Sequence, residues 1–202
     1  MNALIMVDVQ NDFMPGGTLA VPDGDAIVPI INALQRHFDL IVATQDWHPH
    51  NHASFASNHE GRKPFDEIDL HGIRQTLWPV HCVQGSHGAS FHPELNMKSV
   101  ESVIRKGMVP EIDSYSAFFD NDHKKRTGLA GYLREREATN LFFCGLAADI
   151  CVAYTIQDAL ELGFAATLIE DAVRPLDAEE FQQIEQDLLG KGAKAIHSAG
   201  IR

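Results

Sequence analysis

A carboxylate, an ammonium group and a thiol each follow an apolar segment of the sequence, and together they could perform nucleophilic catalysis. Asp8 and Lys106 each come at the end of such a segment, and Cys151 shortly follows the apolar segment LFFC. An ammonium group near a carboxylate and a thiol stabilises both as anions, and the thiolate is the nucleophilic form of cysteine. Each residue alone has a commoner role, as a turn aspartate, a solvated lysine or a small buried thiol. The three together favour a catalytic site with Cys151 as the attacking group.

The position of Cys151 along the chain supports this interpretation. It lies in the first turn of a predicted helix if Ala148 or Asp149 is the N-cap. The helix dipole and the unpaired backbone amides at that end favour the thiolate over the thiol. Cys144, by contrast, lies inside an apolar segment, which is typical of a small buried residue without a catalytic role.

The histidines are concentrated in one region, which indicates a metal site. Eight of the eleven lie between His48 and His92. Asp46 and His48 are two residues apart, so in an extended segment both project to the same side. With His81, they would offer two imidazoles and one carboxylate, a set that suits Zn²⁺, Fe²⁺ or Mn²⁺ when waters complete the shell. The alternative is a polar loop in which the histidines only support turns.

The elements that must position these residues alternate between strand and helix. Apolar segments predict strands over 3–9, 40–44, 100–105, 141–144, 165–169 and 193–196, and helical spacing predicts helices over 25–38, 149–162 and 178–189. Repeated strand-then-helix units predict an α/β fold with three layers, in which helices cover both faces of a six-stranded, mostly parallel sheet. Ligands of such sheets bind beyond the carboxyl ends of the strands, where these polar residues stand.

One region breaks the alternation. Residues 45–99 are rich in His, Pro, Gly, Ser and Asn and show little periodicity. An irregular connection of this length is unusual in a compact domain and is usually functional. We therefore expect one domain over residues 1–202 with an elaborated metal-binding loop region at about 45–99.

Charge and composition exclude several classes of protein. Asp and Glu outnumber Lys and Arg by 28 to 16, and a net charge of −12 disfavours nucleic-acid or membrane partners. Three cysteines are too few for a disulfide framework, and neither of the common glycine-rich phosphate loops occurs. The first basic residue is Arg36, so the start of the chain lacks the charged region of a signal peptide. These features predict a soluble cytoplasmic protein without a nucleotide cofactor.

Five segments occur in the order and spacing of a known family. They are 8–13 (DVQNDF), 46–49 (DWHP), 78–82 (WPVHC), 106–107 (KG) and 145–151 (GLAADIC). On these motifs, the chain resembles the nicotinamidase/pyrazinamidase group of the isochorismatase-like cysteine hydrolases over nearly its whole length. The resemblance implies the isochorismatase-like fold, which has a Rossmann-like topology.

The resemblance also implies roles for individual residues. The catalytic triad would be Asp8, Lys106 and Cys151, and the metal ligands would be Asp46, His48 and His81. The fourth metal position varies in the family. Here His52 is the best-placed candidate, and Ser54 stands where some members have His. The residues implied to bind substrate are Phe13, Trp78, Tyr115, Leu146 and Ala147. A cis peptide between Leu146 and Ala147 would aim the backbone amides of Ala147 and Cys151 at the oxyanion.

The activity implied by the resemblance is metal-dependent hydrolysis of nicotinamide to nicotinate and ammonia, in NAD salvage, with pyrazinamide as a second substrate. The cofactor would be one divalent ion, with zinc favoured and iron or manganese as alternatives. Three other functions stay open: an amidase of the same superfamily acting on a carbamoyl or maleamate-type substrate, a non-catalytic binding module, and a protein whose zinc is structural. The sequence leaves open whether the chain is a monomer or a homo-oligomer.

Overall fold

Eight strands and four α-helices form the regular structure of residues 1–201, the part of the chain that the computed structural model describes. Their bounds are β1 Asn2–Val7, α1 Val28–Leu34, β2 Leu40–Asp46, β3 Glu67–Leu70, β4 Ile73–Thr76, β5 Ser102–Lys106, α2 Leu129–Glu135, β6 Asn140–Leu146, α3 Ala153–Glu161, β7 Ala165–Arg174, α4 Ala178–Gly190 and β8 Lys194–Ile196. Six strands form one sheet in the order β5-β2-β1-β6-β7-β8, and all neighbouring pairs are parallel. The predicted six-stranded α/β fold is confirmed.

The central strands are apolar throughout because both faces of the sheet are covered. Successive side chains of β1 point to opposite faces. Ile5 belongs to a core that includes residues of α2, α3 and α4, whereas Leu4 belongs to a second core that includes residues of α1. Both side chains are fully buried. A strand buried in this way appears in the sequence as a continuous apolar segment rather than as an alternating one.

Two predicted elements differ from the structure, and one helix was not predicted. The helix predicted over 25–38 consists of the short helix α1 between two 3₁₀ turns, and Pro29, which has no amide hydrogen, lies in the first turn of α1. Strand β7 continues to Arg174, five residues beyond its predicted end. The prediction ends too early because the charged residues Glu170 and Asp171 interrupt the apolar segment. Helix α2 was not predicted, since its seven residues are few and include Gly131.

The region 45–99 is less irregular than the sequence predicts. It contains an antiparallel hairpin, in which β3 pairs with β4. Three isolated bridges hold this region together. Two of them join residues within it, His48 to Val83 and Phe55 to Trp78, and the third joins Phe91 to Gln10 in the segment that follows β1. These bridges bring the segment of Trp78 and His81 to the carboxyl edge of the main sheet.

The helices of residues 1–201 are too short or too polar to cross a bilayer. The longest, α4, has 13 residues, whereas a membrane-spanning helix needs about 20. The assignment of the whole chain to one domain stays a prediction.

Candidate active site and metal centre

The strand order places three charged residues side by side at the carboxyl edge of the sheet. Asp46 ends β2 and pairs in register with Lys106, which ends β5. Asp8 directly follows β1 on the other side of β2. Its backbone adopts the left-handed region, with φ of 46°, a conformation that aspartate tolerates better than most residues. All three side chains are buried.

The Lys106 ammonium group is the centre of this cluster. It donates hydrogen bonds to Asp46 Oδ1 at 3.1 Å, to the Ser114 carbonyl at 2.9 Å and to Cys151 Sγ at 3.4 Å. Asp8 Oδ2 is a fourth acceptor, 2.9 Å from the same nitrogen as an ion pair. Lys106 therefore joins Asp8, Asp46 and Cys151 in one buried cluster.

The two carboxylates in this cluster differ in their readiness to accept a proton. Burial raises the pKa of Asp8, and the charge of Asp46 adds to the effect, while Lys106 and a 2.6 Å hydrogen bond from Thr44 oppose it. Burial also acts on Asp46, but the charges of His48 and Lys106 hold its pKa well below the ordinary value. Asp46 therefore stays an anion, and Asp8 is the better proton acceptor of the two carboxylates.

Cys151 lies in the first helical turn, as predicted, but the expected N-cap residue and the expected thiolate form are both wrong. The N-cap is Ala147 rather than Ala148 or Asp149, and the carboxylate of Asp149 instead accepts the backbone amides of Leu176 and Asp177. Burial raises the pKa of the Cys151 thiol well above its ordinary value, although Lys106 lowers it in part. The resting group is therefore a thiol, which needs a base before it can attack.

The predicted metal ligands come together on the other side of Asp46. Asp46 Oδ2 lies 2.9 Å from His48 Nε2 and 3.4 Å from His81 Nε2. The Nδ1 atoms of the two histidines lie 2.9 Å from the carbonyl of Gly107 and 2.8 Å from that of Pro79. Because a carbonyl can only accept, each Nδ1 carries a hydrogen, and each Nε2 faces the Asp46 carboxylate. A protonated Nε2 can donate to that carboxylate, whereas the neutral ring would offer the Nε2 lone pair to a cation. Three electron-donating atoms thus converge within 4.8 Å, which fits a divalent cation.

The close approach of Gly107 to this group requires glycine. Its φ is +65°, and a Cβ atom at this position would collide with the His48 ring. The KG motif therefore supplies two groups to the site. One is the ammonium group of Lys106, and the other is the Gly107 carbonyl, which accepts a hydrogen bond from the predicted metal ligand His48. This explains in physical terms why the two residues occur together.

His52 lies behind His48 rather than around the Asp46 carboxylate. The two rings are 4.4 Å apart, and His52 forms a second potential ligand group with His48 and Asp113. Its Nδ1 lies 2.7 Å from Ser54 Oγ, while its fully buried Nε2 has no hydrogen-bond partner. Burial lowers the pKa of His52 to about 4, so the ring is neutral near pH 7. Its role as a fourth ligand stays a prediction.

A cavity lined by Cys151, Asp46 and His81 connects the thiol with the predicted metal ligands. Among the residues predicted to bind substrate, Phe13, Trp78, Tyr115 and Ala147 line it. Leu146 does not, because its side chain is fully buried in the core. The peptide bond between Leu146 and Ala147 is cis, as the resemblance implied. Sequence reasoning missed the lining residues Leu19, Asp113 and Leu176, which lie in no recognisable motif, and Ile150, which lies inside the 145–151 segment but was not assigned to substrate binding.

The sequence profile of the isochorismatase domain matches residues 2–199. The chain belongs to the isochorismatase family. It is 50% identical over 200 residues to a nicotinamidase of Acinetobacter baylyi, a match that covers 98% of this chain and 94% of the relative. A solved nicotinamidase/pyrazinamidase of Acinetobacter baumanii is 48% identical with a TM-score of 0.97, covering 100% of this chain and 98% of the other.

A second solved relative contains a metal. The pyrazinamidase of Pyrococcus horikoshii in complex with zinc is 37% identical, has a TM-score of 0.80, and covers 97% of this chain and 98% of its own. The resemblance to the nicotinamidase/pyrazinamidase group, first indicated by five short motifs, is confirmed by these comparisons. The isochorismatase-like fold that the resemblance implied is confirmed as well.

Proposed function

We propose that this isochorismatase-family chain is a metal-dependent nicotinamidase that converts nicotinamide and water to nicotinate and ammonia and also accepts pyrazinamide. One observation carries the proposal. The Cys151 thiol and the predicted metal ligands Asp46 and His81 line the same cavity as the aromatic side chains of Phe13 and Trp78. The name of the 50% identical relative supports the choice of substrate. The product would enter NAD salvage in the cytoplasm, with residues 1–202 acting as one domain.

The first chemical step is attack by Cys151. Asp8, which lies in the same buried cluster as Lys106 and Cys151, accepts the thiol proton. The sulfur then forms a bond to the amide carbon, and the carbonyl electrons move to its oxygen. The Lys106 ammonium, 3.4 Å from Sγ, stabilises the thiolate that forms during the transfer. The backbone amides of Ala147 and Cys151 hold the oxyanion, an effect of about 3–4 kcal/mol per donor in other enzymes.

The second and third steps return the enzyme to its starting state. Asp8 gives its proton to the departing nitrogen, the C–N bond breaks, and ammonia leaves a thioester on Cys151. A water molecule then attacks the thioester carbon while Asp8 accepts a proton from it. The C–S bond breaks, nicotinate is released, and the proton returns to the thiol. The raised pKa of Asp8 suits a group that must both accept and donate near neutral pH.

Asp46, His48 and His81 would hold one divalent ion, with zinc as the favoured metal and iron or manganese as alternatives. Such an ion would bind the nitrogen of the pyridine ring and so help to position the substrate. The chain's own contribution is to fix the ring between Phe13 and Trp78 so that the amide lies at the thiol.

The decisive experiment is a measurement of ammonia release from a panel of amides. The purified protein should hydrolyse nicotinamide and pyrazinamide, and it should act far more slowly on aliphatic amides and on carbamoyl or maleamate-type substrates. An enzyme that prefers the latter group would contradict the proposal and favour a different amidase of the same superfamily.

Replacement of Asp8 by asparagine should lower kcat by about 10²–10⁴-fold, the usual range for loss of a general base. An amide cannot accept the thiol proton, but it keeps the size of the side chain and its contact with Thr44. Binding of nicotinate, measured by calorimetry, should change little. Asp171→Asn, which alters a partly buried carboxylate bonded to Ser198, is the matched control and should keep wild-type kcat. Loss of less than tenfold in Asp8→Asn would assign the base to another group.

Replacement of His52 by alanine tests the fourth metal position. If His52 ligates the ion, or holds a water that does, metal affinity should fall about 10–100-fold or more. The measurement is a competitive chelator titration of the wild type and His52→Ala at one pH. His50→Ala, an exposed neighbour in the same loop, is the control. Equal affinities for His52→Ala and the wild type would leave Asp46, His48 and His81 as the protein ligands.

A further inference from the structure

Gln75 is a buried polar residue that neither the catalytic cluster nor the metal group uses. It lies on β4, in the hairpin that the sequence did not predict, and its side chain is 1% exposed. Its neighbours on the strand, Arg74 and Thr76, are less buried, so Gln75 is the residue by which the hairpin reaches the interior. A buried amide of this kind needs hydrogen-bond partners, and two of its partners, Asp113 and Tyr115, line the substrate cavity.

The orientation of the Gln75 amide is fixed by chemistry. Its Nε2 lies 2.8 Å from the Thr76 carbonyl, 2.9 Å from Tyr115 Oη and 3.3 Å from Asp113 Oδ2. A carbonyl and a carboxylate only accept hydrogen bonds, so the nitrogen, not the oxygen, must face them. The Gln75 oxygen accepts from Asn121 Nδ2 at 3.5 Å.

The Tyr115 oxygen joins Gln75 to the aromatic wall. It accepts one hydrogen bond from Gln75 at 2.9 Å and another from the indole nitrogen of Trp78 at 3.2 Å. An indole N–H can only donate, so both lone pairs of the phenol oxygen are used. The rings of Trp78 and Tyr115 stand edge to face, with centroids 6.0 Å apart, and both line the cavity beside Cys151. The position of each ring therefore depends on the same oxygen atom.

We infer that Gln75 is a positioning residue that sets the aromatic slot for the substrate ring by holding Trp78 and Tyr115 through the Tyr115 oxygen. The choice of a flat pyridine ring as occupant rests on the proposed function. Gln75 touches none of the reacting groups, and it acts on substrate binding through the two rings. It thereby connects the hairpin of the 45–99 region to substrate selection.

Replacement of Gln75 by methionine keeps the length of the side chain and removes its hydrogen bonds. KM for nicotinamide should rise about tenfold, the expected size when a buried hydrogen bond is broken and a partner is left unsatisfied. The value of kcat should stay within about threefold, because Cys151, Lys106 and Asp8 are untouched. Gln183→Met, which removes an amide bonded to Asp187 on α4, is the control and should leave KM unchanged.

A double-mutant cycle with Tyr115→Phe separates positioning from general loss of stability. Tyr115→Phe removes the shared oxygen and should itself raise KM about tenfold. In that background, Gln75→Met should change KM by less than twofold, because the atom through which it acts is gone. A second full tenfold rise, or an unchanged KM in Tyr115→Phe, would overturn the inference. The Tyr115→Phe result also decides the matter if Gln75→Met does not fold.

A readout that needs no activity keeps this inference distinct from the proposed function. The chain has two tryptophans, so a ¹H–¹⁵N spectrum should contain two indole signals. The Trp78 signal, assigned by its response to Tyr115→Phe, should move in Gln75→Met, while that of Trp47 stays in place. Two unmoved signals would overturn the inference. A moved signal in a protein that does not hydrolyse nicotinamide would contradict the proposed function instead.

Discussion

Cys151→Ala is expected to abolish hydrolysis of nicotinamide, with a fall in kcat of at least about 10⁴-fold, the size seen when a covalent nucleophile is removed. The sulfur forms the bond to the amide carbon, and no other group within reach of Lys106 can replace it. Binding of nicotinate should change only a few-fold, because the aromatic slot and the metal group remain. The measurements are ammonia release for kcat and calorimetry for nicotinate.

The other two cysteines supply the controls for this prediction. Cys144 is fully buried in β6, where its thiol lies 3.7 Å from the carbonyl of Ile5, and Cys144→Ala should keep wild-type kcat. Mass spectrometry of acid-quenched reactions should show a nicotinoyl adduct on Cys151 and none on Cys82 or Cys144. Substantial turnover by Cys151→Ala, or an adduct on another cysteine, would be incompatible with the thioester mechanism.

The catalytic cluster could be predicted from the sequence because its residues stand at strand ends. In a parallel sheet, the carboxyl ends of all strands lie at one edge, so recognising the strands places Asp8, Asp46 and Lys106 at the same edge. The strand order β5-β2-β1 then makes them neighbours. Short, continuous apolar segments marked those strands clearly. The spacing of Asp46 and His48 also survived into the structure, since β2 is extended up to Asp46.

The electrostatics could not be predicted in the same way, because they depend on how deeply each group is buried. The helix dipole suggested a thiolate at Cys151, but burial outweighs it and raises the pKa of the thiol. The two carboxylates have the same chemistry in the sequence and opposite pKa shifts in the structure. That contrast arises because the charge of His48 lies against Asp46 and lowers its pKa, whereas at Asp8 burial and the charge of Asp46 outweigh the opposing effect of Lys106.

The walls of the cavity were only partly visible in the sequence because they come from segments without periodicity. Trp78 was recognisable by its motif and Tyr115 only through the resemblance to the family, and their coupling through Gln75 depends on a hairpin with little alternation of apolar and polar residues. Leu19 and Leu176 are ordinary apolar residues in loops, and nothing in their neighbourhood marks them as cavity residues. Contacts made between distant loops leave no local pattern to read.

His48→Ala and His81→Ala should each lower metal affinity by at least about 100-fold and raise KM for nicotinamide at least tenfold. Each change removes one of three converging donor atoms, and loss of a direct ligand exceeds the 10–100-fold effect of losing an outer support. Because a misplaced ring also presents its amide poorly to Cys151, kcat should fall as well. Metal content of the purified variants, a chelator titration and steady-state kinetics measure the three effects. His87→Ala, an exposed histidine of the same region, should behave like the wild type.

Benzamide tests the same contact from the side of the substrate. It has the size and flatness of nicotinamide but lacks the ring nitrogen, so the wild type should bind it poorly. The difference in kcat/KM between nicotinamide and benzamide should be smaller in His81→Ala than in the wild type. That variant can no longer hold the ion that would bind the ring nitrogen of nicotinamide. A wild type that hydrolyses benzamide as well as nicotinamide would show that the ring nitrogen makes no useful contact. Asp46, His48 and His81 would then serve to hold the loop region in place, and removing the metal should lower the melting temperature of the protein rather than raise KM.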